Sequence, residues 1–261
     1  MKNIIKFISI ILLTVFISCK KDTKDPEPVP EPMPVTPTSG TLKIEFEHMF
    51  DTVEFNLGQN YKTANGDTVK ANMLKYYISN IVLTKNDNTT YADPNGYHLL
   101  DVSDPASTIL DIPNIPIGSY KSLSFILGVD SASNCSGAQT GALDPAKGMF
   151  WNWSTGYIMF KLEGTSPQSG SSTKTLTYHA GGFGGANKVQ RNFNFNFATT
   201  TSNITGNNSP YIHLSVDVNE FFKNPATINV ATQYFLMSAG ATAKMYADNY
   251  ADMINFEHVH N

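Results

Sequence analysis

Four histidines have spacings and neighbours that suit a metal ligand: His48, His179, His258 and His260. His258 and His260 are in register with Ile254 and Phe256. Residues two apart on a strand point to the same face, so the two histidines would present both imidazoles to one ion. Imidazole is a good ligand for copper and for zinc. The alternative interpretation is a frayed polar tail, because chain ends are commonly disordered. The His-x-His pair therefore predicts a copper or zinc site that depends on an ordered C-terminal strand.

The other candidate residues lie at predicted strand ends and in loops. His48 is in register with Ile44 and Phe46, so it should point to the buried side of its strand. His179 precedes a glycine-rich run, where backbone can approach closely or form a mobile loop. Asp130 could hydrogen-bond a ligand histidine and fix its tautomer, although we favour capping of its own loop. His98 is expected in the core or on the surface, and His213 is expected to be solvated on the polar face of its strand.

Trp151 and Trp153 are the only tryptophans, and they lie two residues apart. On an extended strand both indoles would share one face, opposite Asn152. Two neighbouring indoles form either a large core anchor or the lining of a site. The sequence pattern leaves both interpretations open.

Apolar and polar residues alternate along most of the chain, which predicts a β protein. The predicted strands cover residues 42–47, 53–57, 75–83, 97–100, 118–129, 157–162, 174–179, 190–198 and 211–218. Two short helices are expected, one after the N-cap residue Asp217 and ending before Pro225, and one over residues 244–253. Crossover helices are missing, so we predict an all-β fold, an antiparallel β-sandwich with two short helices.

The N-terminal residues predict export and a lipid anchor. Lys2 and Lys6 precede a short apolar run, which is typical of a secretory signal. The run ends in Ser18-Cys19, which resembles a lipobox, so residues 1–18 are predicted to be a lipoprotein signal peptide and Cys19 the lipidated residue. Residues 19–40 hold six prolines and predict an extended tether. Residues 41–261 are then predicted to form the folded domain, which the lipid would anchor at the cell envelope. The favoured location is the outer membrane, on its periplasmic or surface face.

Charge and motifs exclude several classes of function. Removal of the signal leaves 16 basic and 22 acidic residues, a net charge near −6, and no Lys/Arg cluster indicates a nucleic-acid partner. The chain has no nucleophile elbow, phosphate loop or zinc-protease helix, so we expect that it is not an enzyme. With Cys19 lipidated, Cys135 has no partner for an intrachain disulfide.

Several segments together resemble the MbnP-like family of copper-binding proteins, which are found beside methanobactin genes and in other bacterial export systems. The most specific is Asp-Pro-(x)2-Gly-Met-Phe-Trp-x-Trp at residues 144–153. The other matching segments are residues 46–48, 74–80, 128–131, 141–145, 156–157, 162–164, 178–179, 181–183, 247–250 and 258–261. The resemblance covers nearly all of residues 41–261.

This resemblance implies an exported β-rich protein that binds a copper ion through histidines drawn from His48, His179, His258 and His260. It further implies that Trp153, or else Trp151, is oxidised to kynurenine by a di-haem peroxidase-like partner. We therefore expect a copper-binding lipoprotein of the cell envelope that acts in copper acquisition, storage or delivery. The alternative is a metal-free envelope module that binds a glycan or a protein partner through exposed aromatic residues.

Overall fold

The computed structural model describes residues 37–152 and 156–261, and strands dominate them. The strands are β1 (Ser39–Phe50), β2 (Val53–Glu54), β3 (Tyr61–Lys62), β4 (Thr68–Lys85), β5 (Thr90–Ala92), β6 (Tyr97–Asp101), β7 (Ile109–Pro116), β8 (Gly118–Leu127), β9 (Phe150–Asn152), β10 (Gly156–Thr165), β11 (Thr175–Gly181), β12 (Arg191–Asn196), β13 (Ser202–Ile204), β14 (Tyr211–Asp217), β15 (Phe235–Ser238) and β16 (Ile254–His260). The α-helices are α1 (Ser131–Asn134), α2 (Glu220–Lys223) and α3 (Ala241–Asn249).

The predicted all-β class is confirmed, with one helix more than predicted. Helices α2 and α3 lie in the two predicted places. Helix α1 is a single turn that begins after Asp130, whose side chain accepts a hydrogen bond from the Ser133 amide. So short a helix has no 3.6-residue apolar periodicity, and the sequence pattern therefore does not reveal it.

The strands form two sheets. The smaller has the order β16-β14-β1-β2, with β7 also paired to β1. The larger has the order β12-β8-β4-β10-β11-β15, with β13 on β8, β9 on β10, and β3, β5 and β6 on β4. Most neighbouring strands are antiparallel, as predicted, but β1 pairs with β14 and β11 with β15 in parallel. Parallel pairing needs a long connection between the two strands. For β1 and β14 most of the domain supplies that connection, since it lies between them along the chain.

The core lies between apolar faces of the two sheets. Phe46 of β1 packs edge-on against Phe125 of β8, with ring centroids 5.7 Å apart. Alternation along β1 and β14 then leaves Glu45, Glu47 and His213 on the outer face of the smaller sheet. Because the apolar side chains of these strands face the core, the polar side chains between them face outward. Strand register then decides which of these polar side chains are neighbours.

Strand β16 contains a β-bulge that decides where its histidines point. Leu214 pairs with Phe256 while His213 pairs with His258, so Glu257 is an extra residue on β16. Phe256 stacks on the buried Phe197, with ring centroids 5.1 Å apart. Beyond the bulge, His258 and His260 are exposed while the residue between them packs against the core. The two histidines share one face, as predicted, but the expected register with Phe256 is wrong, because the bulge offsets the alternation by one residue.

The predicted signal peptide at 1–18, the lipidation site Cys19, most of the tether and Trp153 lie outside the described residues. Strand β1 begins at Ser39. Cys135 is exposed and forms no disulfide with any described residue. Among the helices of the described residues, none combines the length and apolar character needed to cross a membrane.

Candidate metal centre

Three histidines converge on the outer face of the smaller sheet: His213 of β14 and His258 and His260 of β16. One ring nitrogen from each lies within 4.8 Å of the others. His213 and His258 are directly opposite each other across the strand pair, and their rings stack with centroids 4.4 Å apart. His258 Nε2 is 3.0 Å from His260 Nε2. The three side chains are therefore gathered at one end of β14 and β16.

The spacing of these nitrogens suits a shared ion. Two nitrogens that each bind one ion at about 2.0 Å are about 2.8 Å apart at a right angle and about 3.3 Å apart at the tetrahedral angle. The 3.0 Å between the Nε2 atoms of His258 and His260 falls between these values. In the metal-free protein one of these nitrogens donates a hydrogen bond to the other, and an ion would replace that bond.

Glu45 lies beside the third histidine. Strand β1 runs parallel to β14 with Glu45 opposite His213, and the Glu45 Oε2 atom is 2.7 Å from His213 Nδ1. Partial burial lowers the pKa of His213, and Glu45 opposes that shift. The lowered pKa favours the neutral imidazole, which is the form that binds metal.

An acidic groove of about 420 Å³ adjoins the cluster. It is lined by Glu47, Met49, Asp51, Ser215, Asp217, Asn255, Glu257 and His258. Lys223 binds Asp51 at 2.8 Å and Asp217 at 2.9 Å and so offsets part of the negative charge. A groove lined by carboxylates raises the local concentration of cations beside the histidines.

His48 occupies a different place, on the inner face of β1. It is 7% exposed, as predicted for its register, and its Nε2 atom is 2.8 Å from the Tyr76 hydroxyl. Burial lowers the pKa of His48 to about 4, so the ring is neutral near pH 7. His48 is therefore separated by the strand itself from the cluster on the outer face.

His179 lies on β11 in the larger sheet. The His179 Nε2 atom is 2.7 Å from Glu163 Oε1, and its buried Nδ1 atom has no hydrogen-bond partner among the described residues. Burial lowers the pKa of His179. The Trp151 indole lies against Gly181, two residues along β11 on the same face, where an added Cβ would be 2.5 Å from the ring. Trp151 is half-buried and packs against the core, so it serves at least as an anchor for β9.

Asp130 caps its own loop. One carboxylate oxygen accepts the Ser133 amide at 3.0 Å, and the other accepts the Tyr97 hydroxyl. Among the described residues, its side-chain partners include no histidine. This is the capping role that the sequence favours over the support of a metal ligand.

His213 is the residue that the sequence pattern misses. The alternation correctly places it on the polar face of β14, but the structure makes it half-buried and part of a three-histidine cluster. Its position opposite His258 depends on the pairing of β14 with β16 and on the bulge. The only sequence signal is a histidine on the polar face of one strand and a His-x-His pair on another.

These features define an all-β sandwich protein with a candidate transition-metal centre on one outer face. The family model MbnP matches residues 39–241, and the chain belongs to this family. MbnP is associated with methanobactin and copper handling. His258 and His260 lie beyond the matched residues.

The comparison with solved structures finds MbnP from Methylosinus trichosporium. It is 16% identical and aligns over 73% of this chain and 80% of that chain, with a TM-score of 0.49. No curated protein matches the chain.

Proposed function

We propose that this protein is a copper-binding lipoprotein of the cell envelope, acting in copper acquisition, storage or delivery. The observation that carries the proposal is the convergence of His213, His258 and His260, with one ligand nitrogen from each within 4.8 Å of the others. Membership of the MbnP family supports copper as the metal. Among the divalent ions of the first transition row, copper binds imidazole sites most tightly, so divalent copper would outcompete zinc at equal concentration.

A second part of the proposal concerns the oxidised tryptophan that the family resemblance implies. The Trp151 indole lies against Gly181, which is two residues from His179 on the same face of β11, and this supports a ligand and an oxidisable indole in one region of the larger sheet. Trp153 is the preferred target, and Trp151 is the other. The reaction would need a di-haem peroxidase-like partner that docks on this side of the protein. In this scheme His48 and His179 lie apart from the three-histidine cluster, with His48 against Tyr76 and His179 against Glu163.

The location of the protein is proposed from its N-terminus. Diacylglycerol on Cys19 and the proline-rich tether would hold the domain clear of a membrane, most favourably the outer membrane. The protein would bind and transfer its ion without catalysing a reaction.

A metal-free binding module is the second candidate function. The observation that favours it is the exposure of Phe235 and Met237 on β15, at the edge of the larger sheet, where they are 60% and 47% exposed. Exposed apolar side chains at a sheet edge are typical of a surface for a protein or glycan partner.

The deciding experiment combines metal analysis with two variants. We expect the purified protein to take up copper, and the His258→Ala/His260→Ala variant to lose the ion held by the cluster. His98→Ala is the matched control, because His98 pairs with Asp93 away from the cluster. Absence of copper uptake under both reducing and oxidising conditions would overturn the proposal in favour of the metal-free module. Peptide mass spectrometry of protein from its native host tests the oxidation of Trp153 and Trp151.

A further inference from the structure

We propose that the free edge of β12 is a docking site for an extended peptide with an acidic end, which adds to the larger sheet as a further strand. The three-histidine cluster lies on the smaller sheet, so binding of a peptide at this edge does not depend on the metal. Three features of the edge define the peptide: free backbone groups, a half-buried aromatic ring and a cationic groove.

The backbone of β12 has one unpaired side. Strand β12 lies at the end of the larger sheet and, among the described strands, pairs only with β8. The Phe197 amide donates to the Lys121 carbonyl at 2.9 Å and continues the register of this pair. Hydrogen-bonded and non-hydrogen-bonded residues alternate along an antiparallel pair. The amide and carbonyl groups of Asn192, Asn194 and Asn196 therefore point away from β8, toward the open edge.

The sequence of this edge does not protect it against pairing. Edge strands in natural sheets usually carry charges, a proline or a bulge that prevents another strand from adding. From Asn192 to Asn196 the strand alternates Asn and Phe, without a charge, a proline or a shift of register. Such an edge fits strand addition, in which main-chain hydrogen bonds supply the affinity.

Phe195 defines the side chains that the added strand should carry. Its ring faces the core, with its centroid 5.8 Å from that of Phe125, yet it is only half-buried, whereas Phe193 is buried. A strand beside β12 would place every second side chain on this inner face, next to Phe195. Apolar residues at alternate positions of the peptide would complete the burial of the ring.

A cationic groove at the start of β12 defines the charge of the peptide. It has a volume of about 520 Å³, and its lining includes Asn192 of the free edge together with Lys188, Arg191, Lys244 and Asp248. Asp248 pairs with Arg191 and with Lys244, each at 2.6 Å. The groove thus sets three cations against one carboxylate, in a chain whose net charge is −4. A carboxylate is the complementary group, and it would enter beside the first residue of the free edge.

The test uses the full-length protein and a short fluorescent peptide in which two aspartates precede alternating valine and threonine. We expect saturable binding that weakens as salt is added, because the ionic contacts in the groove are exposed to solvent. The matched peptide with lysines in place of the aspartates should bind about 10-fold more weakly. Hydrogen exchange should slow at the amides of Asn192, Asn194 and Asn196 when the acidic peptide binds, because these amides would donate to it.

Two variants separate the backbone contribution from the charge. Asn194→Pro removes an amide of the free edge without removing a bond to β8, so the fold should be retained and binding should fall by about 10-fold. Asn194→Thr is its matched control, since it keeps the amide. Lys188→Glu should weaken binding by about 5- to 10-fold at low salt. Its control is Lys62→Glu, which makes the same change of charge at an exposed position on β3.

Equal binding of the acidic and the basic peptide would overturn the assignment of an acidic partner. Unchanged exchange at the three amides, or full binding by a folded Asn194→Pro, would overturn strand addition. Dimerisation that Asn194→Pro abolishes, without binding of the peptide, would assign the edge to a second copy of the chain and would likewise overturn the proposal. Thermal unfolding of each variant distinguishes loss of the edge from loss of the fold.

Discussion

The imidazole of His258 stacks on that of His213 with ring centroids 4.4 Å apart and an interplanar angle of 16°. Along the chain, α2, β15 and α3 lie between these two residues, which meet because β14 and β16 are antiparallel neighbours. The bulge at Glu257 sets the face on which they meet. The candidate site is thus a product of strand pairing and of one inserted residue.

The bulge makes a specific prediction about deletions. Removing Glu257 restores regular alternation after Phe256, with both histidines still pointing outward. Copper binding by this variant should therefore be retained, as measured by metal analysis after gel filtration. Deleting Val259 instead makes the two histidines adjacent, so they point to opposite faces, and copper should be lost. Retention of copper by the Val259 deletion would contradict the need for both imidazoles on one face, and loss of copper by the Glu257 deletion would contradict the alternation expected without the bulge.

Much of the fold is predictable from alternation because one face of each strand is buried. The pattern of Ile212, Leu214 and Val216 correctly indicates β14 and its buried side. The same reasoning fails at β16, where alternation alone places His258 on the side of Phe256. A bulge depends on the pairing partner, so a single strand's sequence does not reveal it.

The candidate site is less predictable than the fold. His258 and His260 carry a local signal, because their spacing alone brings two imidazoles together. His213 and Glu45 carry none, since each becomes relevant only through its neighbour on another strand. Their contribution depends on the parallel pairing of β1 with β14, whereas the sequence pattern predicts an antiparallel sandwich without assigning strand partners.

His48 should make the free energy of unfolding depend on pH. Burial lowers its pKa from 6.5 in the unfolded chain to about 4 in the folded protein. The unfolded state then binds the proton more readily, so stability is fully present above about pH 6.5 and falls as the pH drops toward 4. The loss attributable to His48 is about 3 kcal/mol across this window. Denaturant unfolding between pH 4 and pH 7 should show a weaker dependence in His48→Gln, whereas an unchanged dependence would assign the effect to other groups.

Cys19 should control membrane attachment. Its replacement by serine removes the thiol that the lipid would occupy, so the protein should move from the membrane fraction to the soluble fraction of the envelope. Cys135→Ser is the matched control, since this exposed thiol lies in the folded domain and its loss should leave the distribution unchanged. Equal membrane association of Cys19→Ser and the parent protein, measured by fractionation and immunoblotting, would rule out the lipid anchor.

Gly181 should be required for the position of Trp151. A methyl group there would lie 2.5 Å from the indole and 3.0 Å from the Tyr157 carbonyl oxygen, so the ring and β9 must move. Gly181→Ala should therefore lower the free energy of unfolding by about 1–3 kcal/mol, as overpacking does in other cores, and should change the tryptophan fluorescence spectrum. Gly184→Ala is the matched control, because an added Cβ at Gly184 meets no atom within 4 Å.

Because the indole shares its face of the sheet with His179, a displaced Trp151 should also alter the surroundings of that histidine. Nuclear magnetic resonance of the imidazole would detect this, and an unchanged His179 signal in Gly181→Ala would show that the two residues are not coupled.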